Sequence, residues 1–358
     1  MSKRVLVTHG GSGQSRGTVS TVRALAADGW QPTVTVSGTL SMAGASKFCA
    51  GRVKVPYAGE DGYAEAVMGE FDSGDYAALI PTSDVALVAL KFPVRHLMDK
   101  VSCARAAVAA GLGVPPNRTF GSTGELIAAA EDLDYPVVIK PALKRYSATR
   151  VDSAIKLPAA LKQEGPVIVQ PYLLDKLRAV VGLMWEGEMV AAVHLDYVRV
   201  WPMPCGTTAS AISVTPDEET EVGLSKLLAG YNGIFHAEFA GDYLLDLNPR
   251  VHGTLPVALA AGVNLPALYC RLETGGDVAR TRGEAGKFFR WIEGDFRSVM
   301  RNVREGRLGV MAAARELGPR RGTTHSYESL TDPGPLLARL AFAARRPWPG
   351  RKKAPPPV

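Results

Sequence analysis

Apolar residues in the first part of the chain come in short β-branched runs separated by helix-like stretches. Arg4 to His9 (RVLVTH) reads as a strand, a Gly/Ser cluster follows, and Thr18 to Ala27 reads as a helix ending at Asp28-Gly29. Pro32 to Ser37 is a second strand, and Tyr76 to Asp84 a strand running into a polar turn. Strands alternating with helices predict a parallel sheet covered on both faces, with ligand groups at the strand ends. Asp99 to Gly111 is an Ala-rich helix with Asp99 near its N-terminus and Gly111 at its end.

The rhythm then changes. Tyr135 to Ala142 (YPVVIKPA) is a strand with one lysine, and Pro166 to Leu174 is a strand that stops at a proline. Ala179 to Val198 reads as two strands joined by a Glu-Gly turn, so this block is largely antiparallel. After a helix around Glu218 to Ala229, Gly233 to Arg250 is a hairpin turning at Ala240-Gly241-Asp242. Alternation along its arms puts Glu238, Asp246 and Asn248 on polar positions of neighbouring strands. The stretch beginning at Gly253 is a buried helix, a turn and another helix. From about Gly286, FFRWIEGDFRSVMRNVREGRLG reads as helices with Phe288, Phe289, Trp291 and Phe296 buried, and Arg290 as a candidate substrate contact. A turn and a further helix follow, then a Pro-rich basic end that cannot bury enough apolar surface to fold alone.

The 358 residues, 46% hydrophobic and 21% charged, can build a large core of two or three packed subdomains. No apolar run approaches the roughly 18 residues that span a bilayer, and the chain enters a strand without a signal-peptide pattern, so we expect a cytoplasmic protein with no membrane partner. Cys49, Cys103, Cys205 and Cys270 stand far apart with no metal-ligand spacing, which predicts reduced thiols. The net charge of +6 comes largely from C-terminal arginines and lysines without interleaved aromatics, so nucleic acid is not expected as a partner.

The candidate chemistry begins with Glu238, Asp246, Asn248 and Arg250. Two carboxylates and an amide oxygen from adjacent strands are hard donors that suit Mg²⁺ bridging nucleotide phosphates. Lys100 and Lys140 are isolated lysines; one buried in an apolar strand needs an anion, and phosphate oxygens would serve. At the strand end around Gln170, Pro171, Tyr172 and Leu173, extended backbone could meet the edge of adenine, with Asp175 near the ribose. A dinucleotide reading of GGSGQSRG (Gly10 to Gly17) is disfavoured, because the second strand ends in Val36-Ser37-Gly38 without the acid that would hold a ribose.

In their order, these pieces resemble the ATP-grasp superfamily, in the branch of carbamoyl-phosphate synthetase and biotin carboxylase. The resemblance covers roughly residues 1–280 and is most specific from Asp246 to Pro266. It implies an α/β fold, α+β in the lid, with a Rossmann-like pre-ATP-grasp domain over 1–95. An ATP-grasp domain over 96–280 would follow, its lid at about 115–175 and its metal-binding body at about 176–280, then a helical extension over 281–345 and a basic tail over 346–358. It further implies that Lys100 and Lys140 contact ATP phosphates and that Gln170 to Leu173 line the adenine hinge. Glu238, Asp246 and Asn248 would hold one or two Mg²⁺, with Mn²⁺ as a substitute, and Arg250 would steady the acyl phosphate. Two departures stand out: Asp246 replaces a frequent Glu, and ALKRYSATRV replaces a glycine-rich lid loop, so Lys144, Arg145, Ser147 and Thr149 would supply side-chain contacts instead. The activity implied is ligation of a small carboxylate to an amine, with ADP and phosphate released and a homodimer compatible with it. The alternatives are a catalytically weak nucleotide-binding regulator and a biotin-carboxylase-like enzyme.

Overall fold

The computed structural model describes residues 2–142, 148–161 and 164–345, whose strands fall into three sheets. The first holds β1 (Arg4–Thr8), β2 (Gln31–Val36), β3 (Gly51–Lys54) and β4 (Tyr76–Pro81), all parallel in the order β3-β2-β1-β4. β1 is central, and its Val5, Leu6 and Val7 are fully buried, which is why it reads as an unbroken apolar run. The helix Arg16–Ala27 starts where the Ser15 side chain accepts the Thr18 N–H and stops at Asp28. β3 and the helix Tyr63–Ser73 were not anticipated; β3 lies at the sheet edge, where two of its four residues are exposed.

The second sheet is small and antiparallel: β5 (Arg118–Phe120), β6 (Val137–Pro141), β7 (Thr149–Val151) and β8 (Val167–Pro171), in the order β5-β8-β6-β7. β6, fully buried along its length, carries Lys140 in its interior. The helix Lys100–Ala109 enters through Asp99, whose carboxylate accepts the Ser102 N–H at 2.8 Å, and Gly111 beyond its end takes φ +86°.

The third sheet holds β9 (Leu177–Trp185), β10 (Glu188–Trp201), β11 (Thr207–Val214), β12 (Gly233–Ala240), β13 (Tyr243–Asn248), β14 (Thr281–Arg282), β15 (Phe288–Arg290) and β16 (Thr324–His325). The main path runs β13-β12-β9-β10-β11-β15-β16, with β14 beside β10. Its middle is apolar on both faces: Val181, Leu183, Val193 and Leu195 pack with Val257, Ala258 and Leu265, while Val180, Met184 and Ala192 pack with Ala107, Leu224 and Phe235. The β9–β10 hairpin turns at Glu186 and Gly187, both left-handed, the backbone a two-residue turn requires.

Two expectations are corrected here. Phe288–Arg290 is a strand, not helix: it closes onto β11 and so extends the sheet, and the helix starts only at Ile292. The region expected to be a helical extension therefore also contributes β14, β15 and β16. Phe296 is not buried but 52% exposed, because it faces outward from the helix Ile292–Arg304, whereas Phe288 and Phe289 are in the core. Among the described residues no helix is long and apolar enough to cross a membrane.

Candidate active site

The polar side of the β12–β13 hairpin is built by register. Glu238 pairs directly with Asp246, and His236 with Asn248, so the period of two brings all four side chains to one face while Ala237 and Leu247 turn to the core behind. The hairpin turn is tight at Gly241, φ +54°, where a Cβ would come within 3.1 Å of the Asp175 carboxylate. That close approach keeps Asp175 beside the hairpin.

Glu238, Asp246, Asn248 and Asp175 border one cleft of about 680 Å³, with His236 buried behind it. Lys100 and Lys140 line it, as do Gln170, Pro171, Tyr172, Leu173 and Asp175 from the end of β8 and the chain beyond, and Glu238, Asp246, Asn248 and Arg250 from the hairpin side. Apart from the side chains expected in place of a glycine-rich loop, every residue singled out from the sequence for nucleotide or metal lies on this one surface. Lys100 Nζ donates to Asp246 Oδ1 at 2.5 Å, and Lys140 Nζ donates to the Leu245 carbonyl at 3.0 Å.

The two lysines are held in opposite electrostatic states. For Lys140 burial is the dominant influence and Lys100 adds repulsion; together they push its pKa down to about 8, against the pull of Asp246 and Glu238. Burial also disfavours the Lys100 ammonium, but the charge and hydrogen bond of Asp246 outweigh it and the net shift is upward. The ion pair leaves Lys140 as the cation most in need of a further anion.

Arg250 is clamped. Its Nε and Nη2 donate to the two carboxylate oxygens of Asp84, each at 2.8 Å, Nη2 also donates to Asn248 Oδ1 at 3.2 Å, and Nη1 to the Val251 carbonyl at 3.1 Å. Burial opposes its charge, yet Asp84 reverses the balance and raises its pKa. Asp84 opens the helix Asp84–Ala89 just after β4, so the first sheet fixes a guanidinium at the hairpin end of the cleft.

Sequence reasoning missed Asp84, and also Tyr197. The Tyr197 hydroxyl donates to Glu238 Oε1 at 2.8 Å and lies 3.0 Å from His236 Nε2; burial, then the Glu238 charge, keep the phenol protonated. A tyrosine on an apolar strand carries no motif, and only the pairing of β9 with both β10 and β12 brings it here. Thr207, Cys205, Ser298 and Asn302 extend the cleft toward the helix Ile292–Arg304, equally without a sequence signal. Arg290 does not line the cleft: it donates to the carbonyls of Glu316, Leu317 and Gly318 and pairs with Asp295. Of the side chains expected to replace a glycine-rich loop, Thr149 lies on β7, and Lys144, Arg145 and Ser147 are outside the described residues. The Arg150 guanidinium covers the Tyr172 ring at 4.2 Å, adding positive charge near the hinge.

No protein-family model matches the chain. It is 26% identical over 208 residues to the carbamoyl phosphate synthase large chain of Streptomyces coelicolor, a match covering 52% of this chain and 19% of that protein. The chain thus spans about a fifth of the length of the curated relatives it matches. Among solved structures it resembles the biotin carboxylase domain of the Hydrogenobacter thermophilus 2-oxoglutarate carboxylase, crystallised with MgADP and bicarbonate, at TM-score 0.59 and 17% identity over 80% of this chain and 73% of that one. It likewise resembles the L-amino acid ligase of Bacillus licheniformis, at TM-score 0.56 and 17% identity over 75% of this chain and 73% of that one. The chain has the ATP-grasp fold expected from its motifs.

Proposed function

We propose that this ATP-grasp chain is a ligase that activates a small carboxylate with ATP and passes the acyl group to an amine, releasing ADP and phosphate. The observation that carries the reading is convergence: two lysines from separate elements and three oxygen-donor side chains of one hairpin line a single cleft large enough for a nucleotide. The relatives support it in kind, being named as a carbamoyl phosphate synthase, a biotin carboxylase and an amino acid ligase.

Glu238, Asp246 and Asn248 fit Mg²⁺ by donor chemistry, since all three present oxygen from directly paired or adjacent register positions. Bound there, the ion would supply charge neutralisation to the β- and γ-phosphates of the substrate ATP. Lys140 supplies a cation whose charged form a triphosphate favours, and Lys100, tied to Asp246, a second one nearby. Gln170 to Leu173 take the adenine end, with Asp175 at the ribose. The substrate carboxylate attacks the γ-phosphorus, giving an acyl phosphate and ADP; the amine then attacks the acyl carbon and phosphate leaves. Arg250 has each of its nitrogens engaged by protein acceptors, so it acts as a fixed positive charge facing the developing oxyanion rather than as a mobile clamp. The same reading puts the enzyme in a reducing cytoplasm, which suits its four free thiols, and includes a homodimer, to be checked by light scattering.

The test is ADP release against panels of carboxylic acids, bicarbonate included, with and without amines. Release that needs both a carboxylate and an amine, and is lost in an Asp246→Ala, Asn248→Ala double variant, is the expected result. Release with bicarbonate alone would redirect the reading to a carboxylating enzyme. ATP binding without turnover for any acid would redirect it to a nucleotide-binding regulator.

A further inference from the structure

Two imidazoles lie beside the oxygen donors, His252 on the cleft wall and His236 fully buried behind it. His236 stands on β12 two residues before Glu238, and His252 follows the hairpin just after Arg250. Their rings stack with centroids 3.9 Å apart and planes inclined by 20°. One ring nitrogen of each and one carboxylate oxygen of Glu238 all lie within 4.8 Å of one another. The Tyr197 hydroxyl sits at the same point, bonded to both His236 Nε2 and Glu238 Oε1.

We propose that His236, His252 and Glu238 bind a borderline divalent transition-metal ion, of the Zn²⁺ or Co²⁺ kind, beside the all-oxygen set of Glu238, Asp246 and Asn248. Two neutral imidazoles and a carboxylate are a donor set such ions prefer and Mg²⁺ does not. Metal–nitrogen and metal–oxygen bonds of about 2.0–2.2 Å require ligand atoms about 3.5 Å apart, so separations of up to 4.8 Å have to close, and the His252 ring has to turn out of its stack on His236, because the in-plane lone pairs of two nearly parallel rings do not meet at one ion. That adjustment falls to Glu238 and His252, which line the cleft, while His236, fully buried on the central sheet, serves as the rigid anchor. Thr207 Oγ1 and Thr254 Oγ1 lie 3.4 Å from the two nitrogens of His252, each a partner for the nitrogen the ion does not take. Glu238, common to both donor sets, would bridge the transition ion to the nucleotide-bound cation.

The proposal is independent of the ligase reading, because it is tested on nucleotide-free protein. The full chain, stripped with a chelator and dialysed, is titrated with Zn²⁺ in the presence of a large excess of Mg²⁺, and with Co²⁺ while the visible absorption is followed. We expect one tightly held Zn²⁺ per chain and the absorption bands of Co²⁺ in a low-symmetry nitrogen and oxygen environment. His252→Gln should weaken Zn²⁺ binding by at least about a hundredfold, since losing a ligand exceeds the effect of losing one of its supports. Asn248→Ala, which removes an oxygen donor but none of the three proposed Zn²⁺ ligands, should leave Zn²⁺ affinity within about threefold of wild type while Mg-ATP affinity drops. Cys205→Ser, a thiol in the same cleft, should also leave it unchanged. His236→Asn is a core substitution and is read only if circular dichroism shows a folded protein; His252→Gln, on the cleft wall, carries the test by itself. Absence of stoichiometric Zn²⁺, or binding that survives His252→Gln, overturns the proposal. Stoichiometric Zn²⁺ binding in a protein that shows no ligase activity would count against the ligase reading alone.

Discussion

On the proposed reading, a buried lysine with its pKa pushed down to about 8 would make nucleotide binding a protonation event. A triphosphate beside Lys140 favours the charged form, so above about pH 8 the complex holds a proton that the free protein has lost. ATP affinity should therefore be flat below about pH 7 and fall by up to about tenfold per pH unit above about 8, as read by calorimetry. Lys140→Met should bind weakly at every pH and lose this slope; a wild-type slope in that variant would mean another group takes up the proton. Arg250 offers a second single-residue test. Held by Asp84 at the hairpin end of the cleft, it should matter more to the proposed reaction than to nucleotide capture, so Arg250→Met should slow ADP release by about 10²–10³-fold and change ATP affinity less than about tenfold. Equal losses in both would make it a binding residue.

Whether an element was legible depended on how locally its determinants lie. The β12–β13 hairpin was read correctly down to its polar face, because alternation and a turn at Gly241 are contained within eighteen residues, from Gly233 to Arg250. The strand β15 was read as helix because Phe288, Phe289 and Arg290 are three residues with no period of their own; they become a strand by pairing with β11, some 78 residues earlier along the chain. For the same reason Tyr197 and Asp84 went unseen, each reaching the site through sheet order rather than spacing. The helix after β15 shows what that placement achieves. Its Asp295, fully buried, meets Arg199 Nε at 2.5 Å, Arg290 Nε at 3.1 Å and Ser210 Oγ at 2.8 Å, joining helix, β10, β15 and β11. Asp295→Ala leaves two guanidinium groups in the interior without that anion and should cost about 3–5 kcal/mol in chemical denaturation. A loss below about 1 kcal/mol would mean that Arg199 relies on Glu316 instead.

Over the whole molecule, the last described segment is bound back onto the first sheet. Tyr327 and Ala338 share a core with Val5, Val22, Val34 and Ile80, and Asp332, 1% exposed, is the polar fastening of that contact. It accepts from Arg23 Nε at 2.8 Å, Ser46 Oγ at 2.7 Å and the Lys47 N–H at 2.9 Å. Arg23 and Asp332 are 309 positions apart, so no window of sequence could have paired them. Burial disfavours the Asp332 carboxylate, but the Lys47, Ser46 and Arg23 contacts outweigh it and hold its pKa below the ordinary value. A carboxyl lowered in the folded state stabilises fully above its unfolded pKa of about 3.9 and loses that contribution as the pH falls through the folded value. Asp332→Asn should therefore lower stability by about 2–3 kcal/mol at pH 7, where hydrogen bonds to a charged group are lost. The gap between wild type and variant should narrow as denaturation is repeated toward about pH 3, because the wild-type carboxyl then protonates and the two side chains become alike in charge. A gap that stays constant with pH would assign the loss to packing of the segment against the sheet, and leave the ion pair with Arg23 no part in holding the two ends of the chain together.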